Sequence, residues 1–489
     1  MSGEAVVLNR KLGARTKLAY ASGSLEDAMV LAASAATMIF YNQVMGLSAQ
    51  LCGTAFLIGS IVDAISDPLV GILSDRVRTR WGRRHPFMLL SALPLGVFFY
   101  LLYQPPSDLT EMQLFVWFSA TYVGVHLAKS FYSVPHTALG AELTSDYNER
   151  TSLFGWNWVV YYVSGAALGY GMLKFMFPST EGYDNGLLNP DRYPILAISG
   201  GLFIFAMVIF CTFATANQIP FLHAARMANE REKNNFSTTR KEILSDLWAL
   251  ARNPSYISVC GTWLVLYISG GVLAIVSTYT LLYAFHMSTE QIAIRPIITL
   301  PGAFIAVVLT AKLVQIFDKK YTMIYTALIC SGLIGLPYCL RLLGWFPENG
   351  SEWLILSIFG IWTVGYLFLP VVPIVIDSQL GDIADEHELR TGNRSEGVIY
   401  SVRTFGMKMT RGLGGFIGGV GLEIIGFPEN ASAETLEPEV IRGLLWMTGP
   451  LYIFIVYGGL GFALLYRINR KGHEETLKAL EIRRAQSKP

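Results

Sequence analysis

Asp63 and Asp67 stand four residues apart in an otherwise apolar stretch, a spacing that projects both carboxylates from one face of a helix. Pro68 follows at once and weakens the local backbone ladder. Two close carboxylates in low dielectric do not both stay ionised unaided, so one takes a proton or a cation sits between them. Either outcome couples the site to an ion; the plainer reading is a salt bridge to Lys408 that only holds helices together. Other charges share apolar surroundings: Glu26 and Asp27, Lys129 with His126 one turn before and Ser130 and Ser133 after, and Arg403, Lys408 and Arg411. Glu26 and Asp27 are adjacent, about 100° apart on a helix, so they do not face one cavity equally. A charge at the centre of a bilayer costs ~2.5–3.5 kcal/mol even on the lenient insertion scale, so such residues are where function is sought. The glycines of Gly412-Leu413-Gly414-Gly415 suit close helix approach.

Trp156-Asn157-Trp158 with Tyr161 and Tyr162 could stack on a ring-shaped substrate or form an interfacial belt; Trp158 is the deeper candidate. The acidic run Asp382-Ile383-Ala384-Asp385-Glu386-His387-Glu388 lacks a second histidine at ligand spacing and reads as a solvated cytoplasmic loop. Neither the histidines nor the serines supply a nucleophile with a base, so catalysis is not expected. The five cysteines (Cys52, Cys211, Cys260, Cys330 and Cys339) are scattered without C-x-x-C spacing and imply neither a disulfide framework nor a zinc site.

The elements that position these charges follow from composition. With 52% hydrophobic and 15% charged residues, against about 25% charged in a typical soluble chain, the protein is expected in a membrane. A net charge of +1 excludes the basic excess that nucleic acid would require. No cleavable signal peptide is expected from the polar, basic first residues. Apolar stretches near the ~20 residues of a bilayer-spanning helix recur, and twelve are predicted, an all-α integral membrane protein. Their limits are 16–43, 51–73, 87–103, 114–139, 153–177, 193–213, 254–285, 292–316, 321–343, 353–376, 397–425 and 440–466. Basic residues fall on one side of this scheme: Arg10, Lys11, Arg15 and Lys17 before the first span, Arg76, Arg78, Arg80, Arg83 and Arg84 after the second, and Arg226, Arg231, Lys233, Arg240, Lys241 and Arg252 after the sixth. The same side holds Arg150, Lys312, Lys319, Lys320, Arg390, Arg394 and the C-terminal tail, whereas the odd-numbered loops hold only Arg192 and Arg341. Cytoplasmic segments accumulate Lys and Arg, so both termini are expected in the cytoplasm. The polar stretch 214–253 reads as a linker between six-helix bundles at 1–213 and 254–466, with a tail at 467–489. An internal echo supports the division: Gly71-Ile72-Leu73-Ser74-Asp75-Arg76 ends the second span and Val314-Gln315-Ile316-Phe317-Asp318-Lys319-Lys320 the eighth. Two such bundles are how major facilitator transporters are built.

Three segments together resemble the glycoside-pentoside-hexuronide:cation symporter family, typified by the melibiose permease. They are Val62-Asp63-Ala64-Ile65-Ser66-Asp67-Pro68 with Thr79-Arg80-Trp81-Gly82-Arg83-Arg84-His85-Pro86, then Val134-Pro135-His136-Thr137-Ala138-Leu139-Gly140-Ala141-Glu142-Leu143-Thr144 through Asp146 to Thr151, then Leu389-Arg390-Thr391-Gly392-Asn393-Arg394-Ser395-Glu396-Gly397 leading to Lys408. The resemblance implies that Asp63 and Asp67 bind the coupling Na⁺, Li⁺ or H⁺, with Ser130 a hydroxyl ligand and Ser66 in place of the family's asparagine. It implies that Lys408 links this site to the sugar and that Asp27 binds sugar hydroxyls. It also marks departures. The fourth-span acid that grips galactosides is Ser133, its neighbouring tryptophan is Thr137, and the fifth-span arginine is Trp158, all of which points away from melibiose.

The expectation is a cation-coupled symporter of a small glycoside or acidic sugar, working by alternating access and using Na⁺ or H⁺ but no cofactor. Substrate contacts are expected at Glu26, Asp27, Lys129, Ser133, Thr137, Trp158, Arg403, Lys408 and Arg411. Four acids (Glu26, Asp27, Asp63, Asp67) balance four cations (Lys129, Arg403, Lys408, Arg411), so a bound cation would call for an anionic substrate. Asp75, Arg76, Arg83, Arg84, Glu142 and Arg150 are expected to pair across the bundle as an inner gate. The protein is expected to be a monomer in the cell membrane. The alternatives are a carrier of lysolipids or another amphiphilic anion and a transporter-like sensor.

Overall fold

The computed structural model describes residues 11–144, 146–222, 248–392 and 396–486. The first half runs through α1 (Ala14–Ala21), α2 (Ser24–Ile39), α3 (Ala49–Arg76), α4 (His85–Leu102), α5 (Glu111–Glu142), α6 (Tyr147–Gly171) and α7 (Tyr193–Ala216). The second runs through α8 (Pro254–Tyr279), α9 (Leu300–Leu342), α10 (Glu352–Phe368), α11 (Val371–Thr391), α12 (Glu396–Ile424), α13 (Pro438–Trp446), α14 (Tyr452–Gly459) and a tail helix, α15 (Arg470–Gln486). Among the described residues the only β pairing is two isolated bridges, Thr79 with Gly82 and Thr180 with Tyr183.

Each expected span falls on helix, and the starts follow from their caps. Ser48, Thr110, Asp146, Asn253 and Ser351 accept backbone N–H groups at the starts of α3, α5, α6, α8 and α10, satisfying donors that a helix leaves open. By length and composition, eight helical stretches among the described residues are apolar enough to cross a membrane, one of them, Thr289–Leu342, holding both the eighth and ninth expected spans. The chain reverses inside it at Asp318, whose left-handed backbone (φ 64°) divides α9. Helices α5, α6 and α12 are not among the eight, and α5 and α12 carry Lys129, Arg403, Lys408 and Arg411. The expected linker at 214–253 lies mostly outside the described residues, with Arg226, Arg231, Lys233, Arg240 and Lys241; Arg10, Asn393, Arg394 and Ser395 lie outside them too. One expectation is overturned. The acidic run 382–388 is not a solvated loop but the C-terminal part of α11, with Asp382 and His387 buried, because the apolar residues Ile383 and Ala384 continue the helix's buried face.

Contacts divide the chain into two compact units, Met1–Phe236 with Met287–Ile297 and Gly415–Thr435, and Ser237–His286 with Ile298–Gly414 and Leu436–Pro489. The first has an aromatic core in which Tyr41 stacks on Phe118 at 3.9 Å and Phe40 packs tilted against Tyr193 at 4.2 Å. The second packs Trp263, Met323, Val375, Ile376 and Ile383 together. One turn recurs twice along the chain at a constant offset. The helix before it ends in a π turn, Phe40–Val44 or Thr280–Ala284; a left-handed residue follows, Gly46 (φ 73°) or His286 (φ 49°); and a serine cap opens the next helix, Ser48 or Ser288.

Close helix contacts rest on glycines, as the run at 412–415 suggested. Gly414 meets Gly271, with a Cβ on Gly414 falling 2.6 Å from the Gly271 Cα, and a Cβ on Gly419 would fall 2.2 Å from the Ala49 carbonyl oxygen. The tightest test in the second unit is Gly302, where a Cβ would lie 2.1 Å from the Tyr366 carbonyl oxygen. Neither backbone can retreat as a side chain would, so Gly302→Ala should lower stability by about 1–3 kcal/mol, in line with overpacked cores. A melting temperature equal to wild type in detergent would show that α9 and α10 are free to separate.

Candidate functional site

In the first unit, α3 and α5 assemble a cluster of oxygen donors. Ser130 Oγ donates to Asp63 Oδ1 at 3.2 Å, and Ser66 Oγ and Ser130 Oγ share a hydrogen bond at 2.8 Å. Ser66 Oγ also donates to the Asp63 carbonyl oxygen at 3.2 Å, and His126 Nδ1 lies 3.9 Å from Asp63 Oδ1. Asp67, half-buried, follows one helical turn after Asp63. The spacing therefore brings together Asp63, Ser66 and Ser130, buried or nearly so, with Asp67 on the same face of α3. Carboxylate and hydroxyl oxygens are the donors a hard monovalent cation takes, and a carboxylate with a hydroxyl neighbour equally holds a proton.

Lys129 on α5 makes an ion pair with Asp27 on α2. The adjacent acids separate as their angular spacing requires: Asp27 is 38% exposed, whereas Glu26 is 1% exposed and its Oε2 has no hydrogen-bond partner among the described residues. Glu26 thus turns into the first unit's interior, contrary to its expected place as a substrate contact. Ser133 is half-buried and Thr137 exposed on α5. On α6 Trp158 is exposed and stacks on Tyr162 at 5.6 Å, with Tyr161 edge-on at 5.8 Å.

In the second unit, Arg403 on α12 holds Asp377 on α11. Arg403 Nε lies 2.7 Å from Oδ1, and Nη2 donates to Oδ2 at 3.0 Å. Lys408 is half-buried and Arg411 exposed on the same helix. Sequence reasoning missed Asp377 because its apolar window ended at 376. Two of the cations that argued for an anionic substrate, Lys129 and Arg403, are therefore matched by an aspartate within their own unit. The balance of four acids against four cations also left out Asp377.

The expected gate residues meet in part. Glu142 receives Arg83 Nη2 at 2.9 Å and Arg84 Nε at 2.8 Å, and Arg84 donates to Asp75 at 2.5 Å and to Ser74 Oγ at 2.6 Å. Arg84 is 7% exposed there, so its desolvation is compensated by two carboxylates. The network joins α3, the 77–84 loop and α5 inside the first unit. Arg150 departs from expectation, donating to the Ala141 and Thr144 carbonyl oxygens, and Arg76 is exposed at the end of α3. Nearby, the Lys17 ammonium at 2.9 Å and the Leu12 N–H at 3.1 Å hold the Glu149 carboxyl below its usual range.

A counterpart lies in the second unit. Lys319 Nζ donates to Asp382 Oδ1 and Oδ2 at 2.6 and 2.7 Å, the Tyr466 hydroxyl donates to Oδ2 at 3.1 Å, and His473 Nε2 of the tail helix lies 3.4 Å from Oδ1. The echo of Asp75-Arg76 in Asp318-Lys319 was the available signal for it. The tail helix is tied further, by Arg470 N–H to Asp318 Oδ2 at 3.1 Å and by Arg483 to the Leu389 carbonyl at 3.3 Å.

Comparison with known proteins decides the family. The model of the MFS/sugar transport protein family matches residues 19–470. The chain belongs to this family. It is a membrane transporter of the major facilitator fold, not an enzyme. Within the family it is 29% identical to the isoprimeverose transporter of Lactiplantibacillus pentosus, over 92% of this chain and 87% of that one. It is 25% identical to a putative glycoside/cation symporter of Escherichia coli strain K12, over 88% and 86%. The fold matches the inward-open xylose transporter of E. coli with a TM-score of 0.62 at 15% identity, covering 95% of this chain and 98% of that one. These relatives carry the resemblance to the glycoside-pentoside-hexuronide:cation symporters, and the chain's place among the sugar transporters of this superfamily follows from them.

Proposed function

We propose that this protein moves a small glycoside or sugar acid across the cell membrane together with Na⁺ or H⁺, by alternating access. The observation that carries the reading is the Asp63, Ser66 and Ser130 oxygen cluster on two helices, with Asp67 one turn away. The resemblance assigns these positions to the coupling ion, and carboxylate and hydroxyl oxygens are the donors such an ion takes. Relatives named for isoprimeverose and for glycoside/cation symport support the substrate class. Asp27, Lys129, Ser133, Thr137, Trp158, Arg403, Lys408 and Arg411 are the proposed substrate contacts. Asp75, Arg83, Arg84 and Glu142 form the proposed cytoplasmic gate, with both termini on that side and the protein a monomer. Uptake of a panel of labelled glycosides and uronides into proteoliposomes, under an inward Na⁺ gradient, an inward H⁺ gradient or neither, tests it. Uptake of a sugar that ignores every gradient would replace symport with facilitated diffusion.

A further inference from the structure

The pair Asp377–Arg403 belongs to neither the cation cluster nor the cytoplasmic ion cluster, and its construction differs from both. Asp382, whose partners tie the second unit together, is 7% exposed, while Asp377 is 45% exposed and its partner Arg403 only 17%. Asp377 Oδ1 is buried against Arg403 Nε, and the exposure of Asp377 comes from the rest of its side chain, with the guanidinium behind it. Asp377 precedes Asp382 by five residues on α11, about 7 Å further along the helix axis from the cytoplasmic ion cluster. An ion pair with a partly exposed carboxylate meets water, not hydrocarbon, where a charge is expensive.

What surrounds the carboxylate suits a sugar. Tyr400 Oη donates to the Asp377 carbonyl oxygen at 3.1 Å, fixing a partly exposed ring beside the acid. Ser401, Thr404 and Phe405 are exposed on the same helix. A carboxylate accepts hydrogen bonds from two neighbouring hydroxyls, a guanidinium donates to hydroxyl or ring oxygens, and an aromatic face packs against sugar C–H bonds. The pair carries no net charge, and its outermost group is negative.

We infer that Asp377, oriented by Arg403, is a substrate-contacting residue that sets specificity for uncharged glycosides over uronides. This rests on the sugar-symport reading above and names its substrate class. A uronide carboxylate brought to this face meets Asp377 first, whereas a neutral sugar offers it only donors.

The test is transport and equilibrium binding of methyl β-xyloside, methyl β-glucoside and methyl β-glucuronide by the full-length protein in proteoliposomes. Wild type should take the neutral glycosides with at least about tenfold lower KM than the glucuronide. Asp377→Asn should raise KM for the neutral sugars about ten- to hundredfold, the scale of a hydrogen bond to a charged group, with kcat little changed, and should narrow the discrimination against the glucuronide. Asp377→Glu should recover part of the loss. The double variant Asp377→Asn with Arg403→Gln, which replaces the ion pair by an amide pair, separates contact from scaffolding. If it regains wild-type KM, or if Asp377→Asn leaves KM unchanged, the pair is structural and the inference is overturned. If wild type carries the glucuronide better than either neutral sugar, the specificity claim fails while sugar symport stands. If wild type carries none of the three under any gradient, the symport reading fails and the inference with it.

Discussion

Asp63→Asn protein is expected to bind its sugar and yet accumulate none of it above the external concentration. The substitution keeps the side chain's shape and its acceptor for Ser130 Oγ, which donates to Asp63 at 3.2 Å, but removes the negative charge that the proposed site offers the coupling ion. Because coupling is a free-energy linkage between two ligands, losing one ligand removes the gradient's leverage without removing the other site. The uphill ratio should fall from well above one to about one, while exchange of labelled for unlabelled sugar at equal concentrations continues. Asp67→Asn should behave alike. Ser130→Ala, which removes one hydroxyl, should weaken apparent cation affinity by about tenfold, on the scale of one hydrogen bond to a charged group. Full uphill accumulation by the Asp63 variant would move the cation site elsewhere.

Asp382→Ala should be the most destabilising single change in the second unit outside its apolar core. It strips Lys319 of a bidentate carboxylate at 2.6 and 2.7 Å, Tyr466 of its acceptor and His473 of a carboxylate neighbour at 3.4 Å. Removing one member of a largely buried charge pair costs about 3–5 kcal/mol, since the remaining charge is left uncompensated. The expected sign is a large fall in melting temperature in detergent and release of the tail helix, seen as faster backbone hydrogen exchange across 470–483. Asp382→Asn, which keeps acceptor capacity for Tyr466, should lose less. Unchanged exchange in the tail after Asp382→Ala would mean that the Arg470 and Arg483 contacts hold it alone.

The spans were legible because an apolar run of membrane length leaves few alternatives, and the shared face of Asp63 and Asp67 because two carboxylates four residues apart have one geometry on a helix. Partners were harder. Sequence spacing placed Glu26 and Asp27 on different faces but could not say which face turned inward; packing chose Asp27 for Lys129 and buried Glu26. Asp377 fell just past an apolar window, although α11 runs on to Thr391, because a helix that leaves the hydrocarbon region keeps its backbone while its composition turns polar. Asp382 looked solvated for the same reason. Its partners Lys319, Tyr466 and His473 come from distant parts of the chain, and no local pattern announces them.

The recurrent turn after the first and seventh expected spans lets one helix stop and the next begin within a few residues. A π turn widens the end of the helix, a left-handed residue redirects the backbone, and a serine cap takes up open N–H groups of the next helix, in the same order and at one offset both times. Gly46 adopts the left-handed backbone without steric cost, whereas His286 adopts it with a Cβ that crowds the following carbonyl oxygen, so the second copy of the turn carries a backbone strain that the first does not.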